Sequence, residues 1–193
     1  MQISPEYLDQ NIVYYKNIIS RPSDVIKYFE EENSEKWQDW LSSNNPNIRH
    51  GFSKTFGFND YHKDVKLITI ANEIKDGITS ALKHYRSEIS GKDVSVPLFF
   101  DVKKYTDGAD MGVHSDSEDD SDNNHPLLSA VLYLNDDYEG GELQFINQKI
   151  NLKALPGSLV IFPSVPPYYH RPMPVSSGTK YMIPFFFYEK GLF

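Results

Sequence analysis

From Gly91 onward the chain is a succession of short runs rich in Val, Ile, Phe and Tyr, each closed by turn residues. LFFDVKKY gives way to Asp107-Gly108, LLSAVLYL to Asn135-Asp136-Asp137, and Gly140-Gly141 opens ELQFI. KINLKAL ends at Pro156-Gly157, SLVIF at Pro163, YYHRPMPV at Ser177-Gly178, and TKYMIPFFFY completes the series. About eight short strands at this pitch predict a sandwich or barrel. The first ninety residues read differently. Pro22 and Ser23 open a short helix with Val25, Ile26 and Phe29 on one side, and Trp37, Trp40 and Leu41 suggest a further turn or two. Asn44-Asn45-Pro46-Asn47 mark a break. Between Asp64 and Arg86, apolar residues recur at Leu67, Ile68, Ala71, Ile74, Ile78, Ala81, Leu82 and Tyr85, the spacing of an amphipathic helix that must bury one face. The expectation is a mainly β chain with N-terminal helices, one domain over residues 1–193, with a helical and aromatic support region at 1–90 and a β core at 98–188.

Composition narrows the function classes. With 193 residues and 39% hydrophobic content the chain can bury a sizeable core. A formal charge of −8 argues against a nucleic-acid surface, which needs clustered Lys and Arg. Cysteine is absent, which excludes disulfides, thiolate metal sites and cysteine nucleophiles. The N-terminal MQISPEYLDQNIVYY has neither the basic nor the apolar part of a signal peptide, and no run approaches a membrane span. The expectation is a cytoplasmic protein with no nucleic-acid or membrane partner.

Two stretches carry the chemistry: DMGVHSDSEDD, with His114 and Asp116, and PPYYHRPMPVSSGTKYMIPFFF, with His170 and Lys180. Two histidines and a carboxylate on one face of an octahedron are the donor set of non-haem Fe(II), with the opposite face open to a chelating cosubstrate and O2. The His-x-Asp spacing alone is weak, and the chain offers a second pair, His62 and Asp64. Residues i and i+2 share a face of a strand but diverge on a helix. His62 and Asp64 stand where the amphipathic helix starts, whereas His114 and Asp116 follow Gly108 and Gly112 in the strand-rich half. His50, His84 and His125 have no partner at ligand spacing and read as structural or exposed.

A lone histidine is more often a core residue bonded to backbone, but His170 sits between a Pro-rich turn and a hairpin signal at Ser176-Ser177-Gly178. A hairpin closing over an odd number of residues would pair positions 174 and 180. His170 and Lys180 would then share a face, offset by about 13 Å at roughly 3.3 Å per residue. A five-carbon diacid fits between an imidazole-bound metal and an ammonium at that distance. The acidic run Asp116–Asn124 is not an EF-hand loop, since the positions that need Gly and Glu hold Ser121 and Leu127. It reads as a solvated, mobile loop, or as an electrostatic lip over the metal that selects cationic or polar peptide.

These motifs are collinear with those of the Fe(II)- and 2-oxoglutarate-dependent dioxygenases, and residues 98–188 resemble the prolyl 4-hydroxylase-like group. YTDGADMGVHSD is similar to the family's tyrosine, turn glycine and His-x-Asp; VLYLND and YEGGELQF are similar to the strands and glycine turn that follow. PGSLVIFPS and HRPMPVSSGTK resemble the approach to the second histidine and the basic residue beyond. The resemblance implies a double-stranded β-helix, the jelly-roll or cupin-type sandwich, buttressed by α-helices. It implies Fe(II) held by His114, Asp116 and His170. The C5 carboxylate of 2-oxoglutarate would pair with Lys180 and be hydrogen-bonded by Tyr133, Tyr105 would line the pocket, and ascorbate would serve as reductant. Many relatives carry an arginine, often with a serine two residues on, where this chain has Lys180 and Met182. A point charge needs a neighbouring hydroxyl, which leaves Tyr133, Ser129 and Thr179 as alternatives.

The implied activity is hydroxylation of an unactivated C–H bond with succinate and CO2 as coproducts, on peptidyl proline at C4 in a proline-containing peptide or protein. A free small molecule or amino acid is the alternative substrate. A non-catalytic cupin-type metal-binding module is the third reading, which has no use for Lys180 and Tyr133. The stretch FSKTFGFNDYH reads either as the wall of a peptide groove or as core packing.

Overall fold

The computed structural model describes residues 4–33, 36–39, 48–57, 64–97, 99–117 and 125–190. The chain opens with β1 (Ser4–Asp9), β2 (Ile12–Lys16), α1 (Pro22–Lys27), β3 (Gln38–Asp39), β4 (Ile48–Gly57) and α2 (Val65–Tyr85). The β-rich remainder runs through β5 (Phe99–Met111), β6 (Leu128–Tyr133), β7 (Glu139–Gly140), β8 (Leu143–Phe145) and β9 (Ile150–Leu152). It closes with β10 (Leu159–Pro163), β11 (His170–Pro172), β12 (Val175–Ser177) and β13 (Lys180–Phe187). Among the described residues, one antiparallel sheet has the order β1-β2-β10-β6-β13-β5-β4-β3, and two small sheets hold β11-β8-β9 and β12-β7. The small sheets face the large one, giving the expected double-stranded β-helix.

Period-two alternation divides the large sheet into two faces. Leu128, Ala130 and Leu132 of β6, with Ile183, Phe185 and Phe187 of β13, join one core cluster together with the buried stripe of α2. Tyr133, Met182, Val160 and Phe162 point the other way and pack with Leu143, Phe145 and Val175 of the small sheets. The cavity described below opens within that second layer.

The amphipathic helix forms where its spacing predicts. Asp64 caps it, its carboxylate accepting from the Lys66 and Leu67 amides at 2.9 and 3.2 Å and from the Tyr28 hydroxyl at 2.8 Å. α1 likewise starts at Pro22 and buries Val25, and Phe29 is buried in the π-helical turn that continues it (Tyr28–Glu32).

Other expectations need correction. Helices do not account for the first ninety residues alone, because β1 to β4 join the large sheet beside α1 and α2. β2 lies between β1 and β10, so Ile12, Val13, Tyr14 and Tyr15 are buried on both faces, and a continuous apolar run lacks the alternation that marks a half-buried strand. Gln38 and Asp39 form a strand rather than a helical turn; Trp40 and Leu41 lie outside the described residues. Asp107-Gly108 does not end a strand. It sits in a bulge of β5, which pairs with β4 on both sides, Gly51 opposite Tyr105 and Arg49 opposite Asp110.

Helix α2 touches the loop after β2 at Gly77, where an added Cβ would overlap the carbonyl oxygen of Ile18. Alanine improves helix propensity by about 0.8–1.0 kcal/mol. Overpacking against an immovable backbone oxygen costs about 1–3 kcal/mol and decides the sign. Gly77→Ala is therefore expected to destabilise the fold, read as a lower urea midpoint with unchanged slope; an increased midpoint would contradict this packing.

Candidate active site

His114 and His170 face each other as an isolated antiparallel bridge, exchanging both backbone hydrogen bonds at 3.0 and 2.9 Å. Such directly opposed residues present their side chains on one face, and the two rings lie 4.4 Å apart. Asp116 follows two residues later with its carboxylate between them, Oδ1 at 3.4 Å from Nε2 of His114 and Oδ2 at 3.6 Å from Nε2 of His170. Phe145 and Phe162 wall in the His170 ring.

Backbone carbonyls fix the tautomers. Nδ1 of His114 donates to the Gly112 oxygen at 2.8 Å, and Nδ1 of His170 to the Tyr168 oxygen at 3.1 Å. A carbonyl only accepts, so each neutral ring carries its lone pair on Nε2. Burial holds the His170 pKa below its ordinary value, against the pull of the Asp116 charge. Burial alone would raise the Asp116 pKa, but the two imidazoles when protonated, His114 foremost, and the Ser129 hydroxyl outweigh it and hold the carboxylate below its ordinary value. The result is a cluster of acceptors aimed at one point, with ligand atoms all within 4.8 Å of one another. That set of ligand atoms fits a divalent cation.

The cluster opens into a cavity of about 320 Å³. Its floor is built from alternate residues of three adjacent strands: Asp101, Lys103 and Tyr105 of β5, Lys180, Met182, Pro184 and Phe186 of β13, and Ser129, Val131 and Tyr133 of β6. At the inner end Lys180 is fully buried among tyrosine rings, its Nζ 5.8 Å from the centroid of Tyr105, 5.3 Å from Tyr133 and 5.9 Å from Tyr138. Its ammonium donates to the Gly141 oxygen, and burial pushes its pKa down to about 7, with the Glu142 charge pulling back only in part. The hydroxyls of Tyr133 and Tyr138 are buried there without a hydrogen-bond partner. Buried donors without an acceptor are costly, and one carboxylate would satisfy them together. Gly141 keeps this end open: at φ +67° it adopts a conformation side chains avoid, and a Cβ would press on Tyr138 and on the Lys180 stem.

The structure thus brings His114, Asp116 and His170 together, and sets Lys180, Tyr133 and Tyr105 around the same cavity. The hairpin that was expected to align His170 with Lys180 does not form. β12 pairs with β7, β11 pairs with β8, and Lys180 pairs with Tyr105. The separation arises instead along β6, where Ser129 beside Asp116 and Tyr133 beside Lys180 are four residues, or about 13 Å, apart. Ser129 bonds Ser164 at 2.7 Å at the metal end, and Thr179 does not line the cavity, so Tyr133 is the hydroxyl next to the lysine. The sequence reading missed Tyr138, whose ring packs beside Lys180, and two charged residues of the cavity wall, Asp101 and Lys103. Strand period two, counted back from Tyr105, would have found the last pair. Asp64 serves as the α2 cap; His62 and residues 118–124 of the acidic run lie outside the described residues, as do residues 58–62 of the aromatic stretch.

Residues 100–188 match the 2OG-Fe(II) oxygenase superfamily. No curated protein matches the chain. Among solved structures it is similar to a viral collagen prolyl hydroxylase from Paramecium bursaria Chlorella virus-1, with TM-score 0.67 and 16% identity over 93% of this chain and 96% of that one. A prolyl hydroxylase from Trichoplax adhaerens gives 0.68 and 14% over 94% and 84%. A Pseudomonas putida prolyl-4-hydroxylase gives 0.62 and 17% over 94% of each.

Replacing His114 or His170 by Ala is expected to abolish binding of Mn(II), a redox-silent probe, measured by calorimetry. Asp64→Ala should keep the metal while lowering the melting temperature through loss of the helix cap. Retained Mn(II) affinity in both histidine variants would place the centre elsewhere.

Proposed function

We propose that this 2-oxoglutarate-dependent dioxygenase, whose residues 100–188 match the 2OG-Fe(II) oxygenase superfamily, hydroxylates peptidyl proline at C4. One observation carries the choice of substrate: beyond the metal cluster and the buried lysine, much of the remaining cavity wall is apolar, with Met111, Val131, Pro184 and Phe186. A pyrrolidine ring is a compact apolar group that suits such a wall. Phe186 is 39% exposed and marks the side from which a substrate enters. The similar Trichoplax enzyme was solved with a hypoxia inducible factor peptide fragment, which accords with a peptide ligand.

In this reading His114, Asp116 and His170 hold Fe(II), and Lys180 with Tyr133 takes the far carboxylate of 2-oxoglutarate, beside the Tyr105 ring. Bound there, iron supplies with 2-oxoglutarate and O2 the oxidising power for C–H hydroxylation, with succinate and CO2 as coproducts. The chain's own residues orient and exclude. The carbonyl-fixed rings keep both Nε2 lone pairs on the cavity side. Phe145 and Phe162 shield His170 from water. Lys180 and the tyrosines fix one end of the cosubstrate, so that its other end reaches the metal.

Incubation with Fe(II), ascorbate, 2-oxoglutarate, O2 and proline-rich peptides should yield a +16 mass shift on proline with stoichiometric succinate. Oxygen gained by a free amino acid and by no peptide would refute the peptide reading. Lys180→Ala should raise the KM for 2-oxoglutarate by about two to four orders of magnitude, since breaking a buried charged pair costs about 3–5 kcal/mol.

The same lysine predicts a pH dependence. Burial lowers its pKa to about 7, so below that pH the ammonium is already present when the diacid arrives. Above it, a proton must be taken up on binding. The KM for 2-oxoglutarate should therefore rise with pH above about 7, by at most about tenfold per unit. Lys180→Arg, charged throughout, should flatten that profile. A flat profile in the parent enzyme would contradict the anchor.

A further inference from the structure

Two lysines line the catalytic cavity, and they differ in their partners. Lys103, on β5, is held by Asp101 with Nζ 3.0 Å from Oδ2. Lys180 has no carboxylate within ion-pair distance among the described residues, which leaves it for the diacid. The unexplained group is Asp101 itself. Its Oδ1 is shut off from solvent and has no hydrogen-bond partner, although the side chain lines the cavity that contains the metal cluster.

Strand geometry places this carboxylate on the substrate side. Lys180 is opposite Tyr105 and Met182 opposite Lys103, so Asp101 lies one step further from the anchor along the same face of β5. On the other flank of β13, Pro184 is opposite Val131 and Phe186 opposite Ser129, which adjoins Asp116. Asp101 thus stands beyond the anchor, toward the apolar wall that Val131, Pro184 and Phe186 form. The cosubstrate cannot satisfy it, because a dianion is repelled by a carboxylate. A metal does not need it, because the cluster of possible ligands is complete without it.

We propose that Asp101 is a specificity-determining residue, its carboxylate accepting a hydrogen bond from a backbone amide N–H of the bound peptide next to the target residue. This rests on the peptide reading above and names how the peptide is held. A carboxylate offers about four acceptor positions, of which the Lys103 ammonium uses one. Rotation about the terminal torsion of an aspartate is soft, so Oδ1 can turn to a donor while the flexible Lys103 side chain follows Oδ2. The donor is neutral rather than cationic because the Asp101–Lys103 pair is already balanced, and a second cation would meet the Lys103 charge at close range. Proline has no N–H of its own, so the amide belongs to a flanking residue. A buried acceptor without a partner then acts as a filter against compounds that present only apolar surface there.

The test uses a proline peptide that the enzyme hydroxylates and its amide-to-ester analogues, each lacking one flanking N–H. In the parent enzyme one ester position should raise the peptide KM about tenfold, and the others should matter far less. Asp101→Leu should raise the KM of the all-amide peptide about as much, and the same ester should then add nothing. Asp101→Ala repeats the measurement should the leucine disturb folding, and Asp101→Asn, which keeps an acceptor oxygen, should retain the ester penalty. Equal ester penalties in parent and Asp101→Ala, or an unchanged peptide KM in that variant, would overturn the proposal and leave the peptide reading standing. A parent enzyme that oxidises no peptide would instead sink the reading on which it rests.

Discussion

The pairing of β13 with β5 on one side and β6 on the other is the constraint from which the site follows. Antiparallel register puts Lys180, Met182, Pro184 and Phe186 on one face and Ile183, Phe185 and Phe187 on the other. A slip of one residue would drive the lysine into the apolar layer against α2 and turn phenylalanines toward the cavity, so burial on both faces pins the register. Along the cavity face the exposure rises from 2% at Lys180 through 8% at Met182 to 39% at Phe186. One strand therefore runs from the buried anchor to the mouth, about 20 Å at roughly 3.3 Å per residue.

Electrostatically the cavity is divided. At one end every converging group is an acceptor: two Nε2 lone pairs and a carboxylate. At the other the converging groups are donors: an ammonium that donates to a single acceptor among the described residues and two hydroxyls with none. Each end is unfavourable when left to itself. A cation at the first and an anion at the second remove both penalties, and a metal chelated by a diacid supplies the two in one assembly. The fold tolerates this because the surrounding shell is rigid: phenylalanine rings around His170, backbone carbonyls behind both histidines, and a glycine where the lysine stem passes.

Much of this was legible in the residues. His-x-Asp, the distant histidine and the lysine were recognisable from type and order, because each needs a particular chemistry at a particular place. Strand count and the long helix followed from periodicity. What failed was pairing. The link between His170 and Lys180 was read as a hairpin because Ser-Ser-Gly is a turn signal, yet β11, β12 and β13 belong to three different sheets, a matter of long-range partners. The β1–β2 hairpin was missed because a strand buried on both faces shows no alternation. Asp101 and Lys103 were overlooked although they share the face of Tyr105, and their importance shows only once the cavity gives them a neighbour.

The most direct test of the account is the affinity of the Mn(II)-loaded protein for 2-oxoglutarate and for 2-oxopentanoate, which has the same carbon count and no far carboxylate. Calorimetry should find the diacid bound about two orders of magnitude more tightly by the parent protein, the scale of a lost buried charge pair. That preference should vanish in Lys180→Ala. Equal affinity for both acids in the parent, or a preference that survives removal of Lys180, would contradict the anchor and with it the division of the cavity proposed for this enzyme.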